Sequence, residues 1–173
     1  QPDAVPSLRG WRLTLIGGDP PSRERAAAMS SVQLGPRFVD PAAWSAALRR
    51  CDAVAGIYGR SPKADRVVPF KAVHGLAAGR VVLTAATTAV RDRLRDGECV
   101  TVPAGDGLAI RSALHGLAAD RSRRQRIECA ARAAYEREFS PAALAAHWRR
   151  VLQIQAQPGM AASGADPADA SAV

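Results

Sequence analysis

Lysine is nearly absent from this chain of 173 residues: of 24 basic residues, all but Lys63 and Lys71 are arginine. With so much alanine alongside, the bias follows composition more than selection for one ligand, so each lysine marks a rarer choice. Aromatic residues make up only 5%, and none interleave the densest basic run, Arg121, Arg123, Arg124 and Arg126. A base-stacking platform for single strands is therefore poorly supported, and the run reads as the solvated face of a helix. The three cysteines, Cys51, Cys99 and Cys129, form no CxxC pair, and His74, His115 and His147 share no ligand spacing with them. That excludes the usual structural zinc patterns, and so sparse a set of thiols fits a reducing compartment. No apolar run is long enough to cross a bilayer and no signal-peptide core is visible, so the expected location is cytoplasmic. A formal charge of +8 leaves the anionic inner face of a membrane as a candidate partner and nucleic acid as a weaker one.

What is present is enough apolar residue, 47%, for one compact domain. Short apolar runs at 13 to 17, 32 to 35, 53 to 57, 81 to 84 and 98 to 102 read as buried parallel strands. Between them fall helical stretches at 22 to 29, 40 to 50, 69 to 79, 88 to 95 and 106 to 118, with a polar loop at 59 to 66. Two more helices, 121 to 138 and 140 to 155, close the domain. Asp40-Pro41 and Ser140-Pro141 pair a capping side chain with a first-turn proline, and Gly79 is a C-capping glycine. The pattern predicts an α/β domain over 1 to 155, a Rossmann-like doubly wound parallel sheet of about five strands with helices on both faces. From 156 to 173 the composition predicts a disordered tail.

Ligands of such sheets bind beyond the carboxyl ends of the strands, which directs attention to the loops after Gly17, Gly35, Ile57 and Thr84. Gly17-Gly18 is not a GxGxxG fingerprint, and no helix is expected directly after it. Pro69-Phe70-Lys71 is more specific, because a helix start offers free N–H groups and partial positive charge, and Lys71 beside it suits a diphosphate. His74, one turn on, could bond a ribose or sugar hydroxyl. Taken singly, Lys71 is as well explained as a solvated side chain and His74 as a partly buried helix residue.

A set of stretches in fixed order carries a resemblance: Leu13-Thr14-Leu15-Ile16-Gly17, Val32-Gln33-Leu34-Gly35, Cys51-Asp52-Ala53-Val54, Pro69-Phe70-Lys71 and Leu76-Ala77-Ala78-Gly79-Arg80-Val81-Val82. Arg93 to Glu98, Val102 to Asp106 and Glu138-Phe139-Ser140 continue it. Over roughly 8 to 153 the chain resembles the C-terminal domain of GT-B retaining glycosyltransferases of group 1, family 4. The resemblance implies a nucleotide-diphosphate sugar as donor substrate, no further cofactor, and no metal. It implies donor-binding positions at Pro69, Lys71, His74, Arg66, Gly17, Gly35, Thr87 and Thr88. The family's paired glutamates fall at Arg66 and His74, so neither carboxylate is present, although relatives with a Pro-Phe-Lys helix start carry glutamine at the second position.

The family's opening strand and its Gly-Arg…Lys-Gly segment have no counterpart before Leu13, nor does its N-terminal acceptor-binding domain. That strand is central in the family, between those at 13 to 17 and 53 to 57, so a gap or a non-family pairing is expected there. The expected role is the donor-binding half of a sugar transferase, inactive as an isolated chain. The alternatives are a non-catalytic binding or assembly module with a degenerate site, and a basic nucleic-acid-associated protein.

Overall fold

The computed structural model describes residues 11–152. The expected tail, and the end of the last helix at 153 to 155, lie outside the described residues. The elements in order are β1 (Leu13–Leu15), α1 (Pro20–Ala27), β2 (Val32–Leu34), α2 (Pro41–Arg50), β3 (Ala53–Ala55), α3 (Pro62–Asp65) and α4 (Phe70–Ala77). They continue with β4 (Val81–Ala85), α5 (Thr88–Arg93), β5 (Val100–Val102), α6 (Gly107–Ala119), α7 (Arg121–Glu138) and α8 (Pro141–Val151).

All strand pairs are parallel, but the five strands form two sheets, β1-β2 and β3-β4-β5. Among the described residues neither β1 nor β3 is paired on its second side, so the two edges have not closed on each other where a central strand was expected. Leu13 and Leu34 are exposed, whereas every residue of β4 is buried.

The strand β4 organises the core by alternation. Val82 faces a cluster with Leu48 of α2, Ala72 and Leu76 of α4, Val90 of α5 and Ala131 and Ala134 of α7. Val81 and Leu83 face the other way, toward Val100, Val102, Leu117 of α6 and Ile127. Burying Val81, Val82 and Leu83 contributes on the order of 5–9 kcal/mol of apolar transfer. Two glycines allow the close approach this requires. A Cβ on Gly75 would lie 2.9 Å from Val82 Cγ2, and one on Gly56 would lie 2.4 Å from Thr84 Oγ1.

Two local readings are corrected. The loop expected at 59 to 66 contains the single turn α3, because Ser61 Oγ accepts from Ala64 N–H at 3.2 Å ahead of Pro62. The first helix begins at Pro20 rather than 22, two residues past Gly18, because Asp19 Oδ1 accepts from Ser22 N–H at 2.9 Å. Four of the strands are shorter than the apolar runs suggested, the last starting at Val100 rather than 98, whereas β4 extends one residue further, to Ala85.

Candidate functional site

Since β3 and β4 are parallel, the connection between them returns antiparallel, so α4 begins at the carboxyl ends of the strands. Its start is chemically unusual within this chain. Asp19, Asp40, Ser61, Thr87, Asp106, Asp120 and Ser140 each cap a described helix with a side-chain oxygen. The N-cap of α4 is Pro69, which makes no side-chain cap bond. Ala72 and Val73 donate back to Pro69 O, while the first N–H groups of α4 have no capping acceptor. At the other end, Gly79 at φ 61° takes the left-handed conformation that stops the helix, as its sequence position implied.

Lys71 and His74 line one open groove of about 970 Å³ between α2 and α4, with Val39, Pro41, Trp44, Arg49 and Arg132. Its lining residues include three cations and no carboxylate. The groove walls strip water from the Lys71 ammonium, and this desolvation lowers its pKa. Lys71 makes no ion pair among the described residues. Trp44 Nε1–H donates to His74 Nδ1 at 2.9 Å, and the Phe70 ring lies 6.3 Å from the imidazole on another side.

The other expected site residues are placed differently. Arg66, at the end of α3, and Thr88 line a separate cleft of about 520 Å³ with Asp65, Arg93, His147 and Arg150. There Asp65 Oδ1 accepts from Thr88 N–H at 2.9 Å, which lowers the Asp65 pKa and occupies the start of α5. Thr87 is buried, its hydroxyl accepting from Val90 N–H at 3.3 Å, so it caps α5 rather than facing a ligand. Gly17 and Gly35 follow β1 and β2 and line neither cleft. Their carbonyls are both taken by one guanidinium, Arg23 Nη1 and Nη2 each donating at 3.0 Å. The carboxylate of Asp19, its pKa lowered by its bonds to Ser22, makes the nearby start of α1 unsuitable for an anion.

Sequence reasoning grouped Lys71, His74 and Pro69, of which Lys71 and His74 share the groove and Pro69 opens their helix, with residues that the fold separates from them. It missed the roles of Trp44, Arg23 and Asp65. Nothing in the spacing of Trp44 from His74, 30 positions away, signals a bond between them. Of the arginines expected on a solvated face of α7, Arg121, Arg123 and Arg126 are exposed and Arg124 is half-buried. No cluster of ligands able to hold a metal occurs among the described residues. No described helix is long and apolar enough to cross a membrane.

No protein-family model matches the chain, and no curated protein does. Solved structures do. The C-terminal domain of LpcC, a group 1 family glycosyltransferase of Francisella tularensis, superposes with a TM-score of 0.58 at 16% identity, covering 80% of this chain and 76% of that one. The chain has the fold of a GT-B C-terminal domain. Anabaena HepE in complex with UDP-glucose is similar at TM-score 0.62 and 16% identity, covering 82% of this chain. Sucrose-phosphate synthase of Thermosynechococcus elongatus is similar at TM-score 0.64 and 17% identity, also over 82% of this chain. The chain spans only 40% and 38% of those two structures.

Proposed function

We propose that this chain is the donor-binding domain of a glycosyltransferase and holds a nucleotide-diphosphate sugar at the start of α4, the acceptor being held by another domain. The observation that carries the reading is the uncapped N-terminus of α4 with Lys71 beside it in a groove that has no carboxylate. Free N–H groups and a desolvated ammonium stabilise a diphosphate in the bound state and as a leaving group. HepE, which shares the fold, binds UDP-glucose. In this reading the open slot between β1 and β3 receives one further parallel strand, completing a single sheet.

Titration with UDP and UDP-glucose, followed by calorimetry, tests the assignment. Lys71→Ala removes one charge-assisted contact, worth about 1.5–3 kcal/mol, so affinity should fall by roughly 10- to 150-fold. Lys63→Ala, on the short helix α3, should change nothing. Equal loss in both variants would reduce the effect to net charge and overturn the site.

Arginine at 66 and histidine at 74, where the resembling family carries glutamates, support a second reading, a binding module that retains the nucleotide without transferring its sugar. Product analysis with UDP-glucose and a panel of acceptors separates the two.

A further inference from the structure

The hydrogen bond between Trp44 and His74 has consequences for which proton the imidazole carries. An indole N–H is a donor and never an acceptor, so the atom that receives it must present a lone pair. Trp44 Nε1 lies 2.9 Å from His74 Nδ1, with the two rings edge-on at 64° and 6.0 Å between centroids. The bond joins α2 to α4, and Trp44 is itself held by packing against the cluster around Leu48 and Leu76. Neutral His74 is thereby confined to the tautomer with its proton on Nε2. That nitrogen bonds no described residue. Doubly protonated imidazole would set two donors against each other at the Trp44 contact. The charged groups that line the groove with it are all cationic: Lys71 on its own helix, Arg49 on α2 and Arg132 on α7. None can accept the Nε2 proton.

We propose that Trp44 is a positioning residue that locks His74 as a directed hydrogen-bond donor, so that the groove takes a ligand oxygen, a hydroxyl or phosphate oxygen of a nucleoside diphosphate, at His74 Nε2. The assignment deepens the donor-site reading and rests on it. It also accounts for a histidine where an acidic side chain would accept from a hydroxyl: the group is a donor here, and the ligand atom must be the acceptor.

Two measurements test it. Long-range ¹⁵N-edited NMR of the imidazole, near pH 8, should show a single Nε2–H tautomer for His74 in the wild-type chain and a mixture in Trp44→Phe. A proton found on Nδ1 in the wild type overturns the proposal, whether or not the variant folds. In UDP titrations, Trp44→Phe and His74→Ala should each weaken binding by about ten-fold, the usual worth of one hydrogen bond, and the double variant by no more than either alone. Additive losses of about a hundred-fold would mean that the two side chains act separately, which overturns it. Uridine and pyrophosphate titrations locate the oxygen: weakening confined to uridine assigns the ribose, weakening confined to pyrophosphate assigns the phosphate, and weakening of neither refutes the contact. If UDP does not bind the wild type, the nucleotide reading fails, and the tautomer decides the positioning role independently.

Discussion

The ion pair between Glu98 and Arg137 joins the approach to β5 to the last turn of α7, and replacing Glu98 with glutamine should measure what that junction contributes. Glu98 is buried at 8% exposure and accepts three hydrogen bonds, from Arg95 N–H at 2.8 Å and from Arg137 Nη1 and Nη2 at 2.6 and 2.9 Å. The Arg137 side chain keeps 28% of its surface, so the pair is neither fully wet nor fully dry. Exposed pairs contribute about 0–1 kcal/mol, and breaking a buried one costs about 3–5 kcal/mol. Glutamine keeps one carbonyl oxygen but turns an NH₂ toward a donor, so an intermediate loss of about 2 kcal/mol is expected. For a domain of this size that corresponds to roughly 4–8 °C in Tm.

Acid stability supplies a second readout. The Arg137 hydrogen bonds hold the Glu98 carboxyl below its ordinary pKa in the folded chain. A depressed folded pKa means stabilisation that is complete above the unfolded carboxylate pKa and disappears as pH falls through the folded one. The wild type should therefore lose stability through that interval more steeply than Glu98→Gln. The assay is urea denaturation of the wild type, Glu98→Gln, Arg137→Met and the double variant between pH 3 and 7. A coupling energy under about 0.5 kcal/mol at pH 7, or identical acid slopes, would refute the reasoning.

Gly56→Ala should cost about 3 kcal/mol in the same denaturation assay, because its methyl would lie 2.4 Å from Thr84 Oγ1, which bonds Ile57 N–H and C=O. A loss under about 1 kcal/mol would show that β3 and β4 separate more easily than their packing implies. Hydrogen exchange should divide the chain along the open slot. Amides of β4, buried throughout, should exchange with the global unfolding, and those of β1 and β2 much faster, since that pair packs chiefly with itself and α1. Equal protection in both sheets would contradict the division.

Element order was legible in the chain because each signal is local. Asp40-Pro41 and Ser140-Pro141 start helices wherever they stand, Gly79 ends one by tolerating a positive φ, and a run such as Val81 to Thr84 has to be buried on both faces. Short-range competition explains the local misses. Ser61-Pro62 and Asp19 before two prolines both read as polar loop, but in each a side-chain oxygen captures an N–H three residues on. Lys71 stood out for its rarity, and its place beside an uncapped helix start follows from Pro69 having no side-chain oxygen to offer.

Which residues share a surface depended on the tertiary structure. Thr87 and Thr88 are adjacent, yet one is buried as a cap and the other is held by Asp65, 23 residues earlier. Arg66 and His74 are eight positions apart and line different clefts, because α3 ends and the chain turns before α4 begins. Gly17 and Gly35 are joined through Arg23, which no spacing rule connects to either. The sequence by itself determined the elements and their parallel order, since propensity, capping and burial period act over a few residues. Only the fold decided that Trp44 meets His74 and that β1 and β3 stay apart, because such contacts depend on how helices cross a sheet and on which strand edges find a partner.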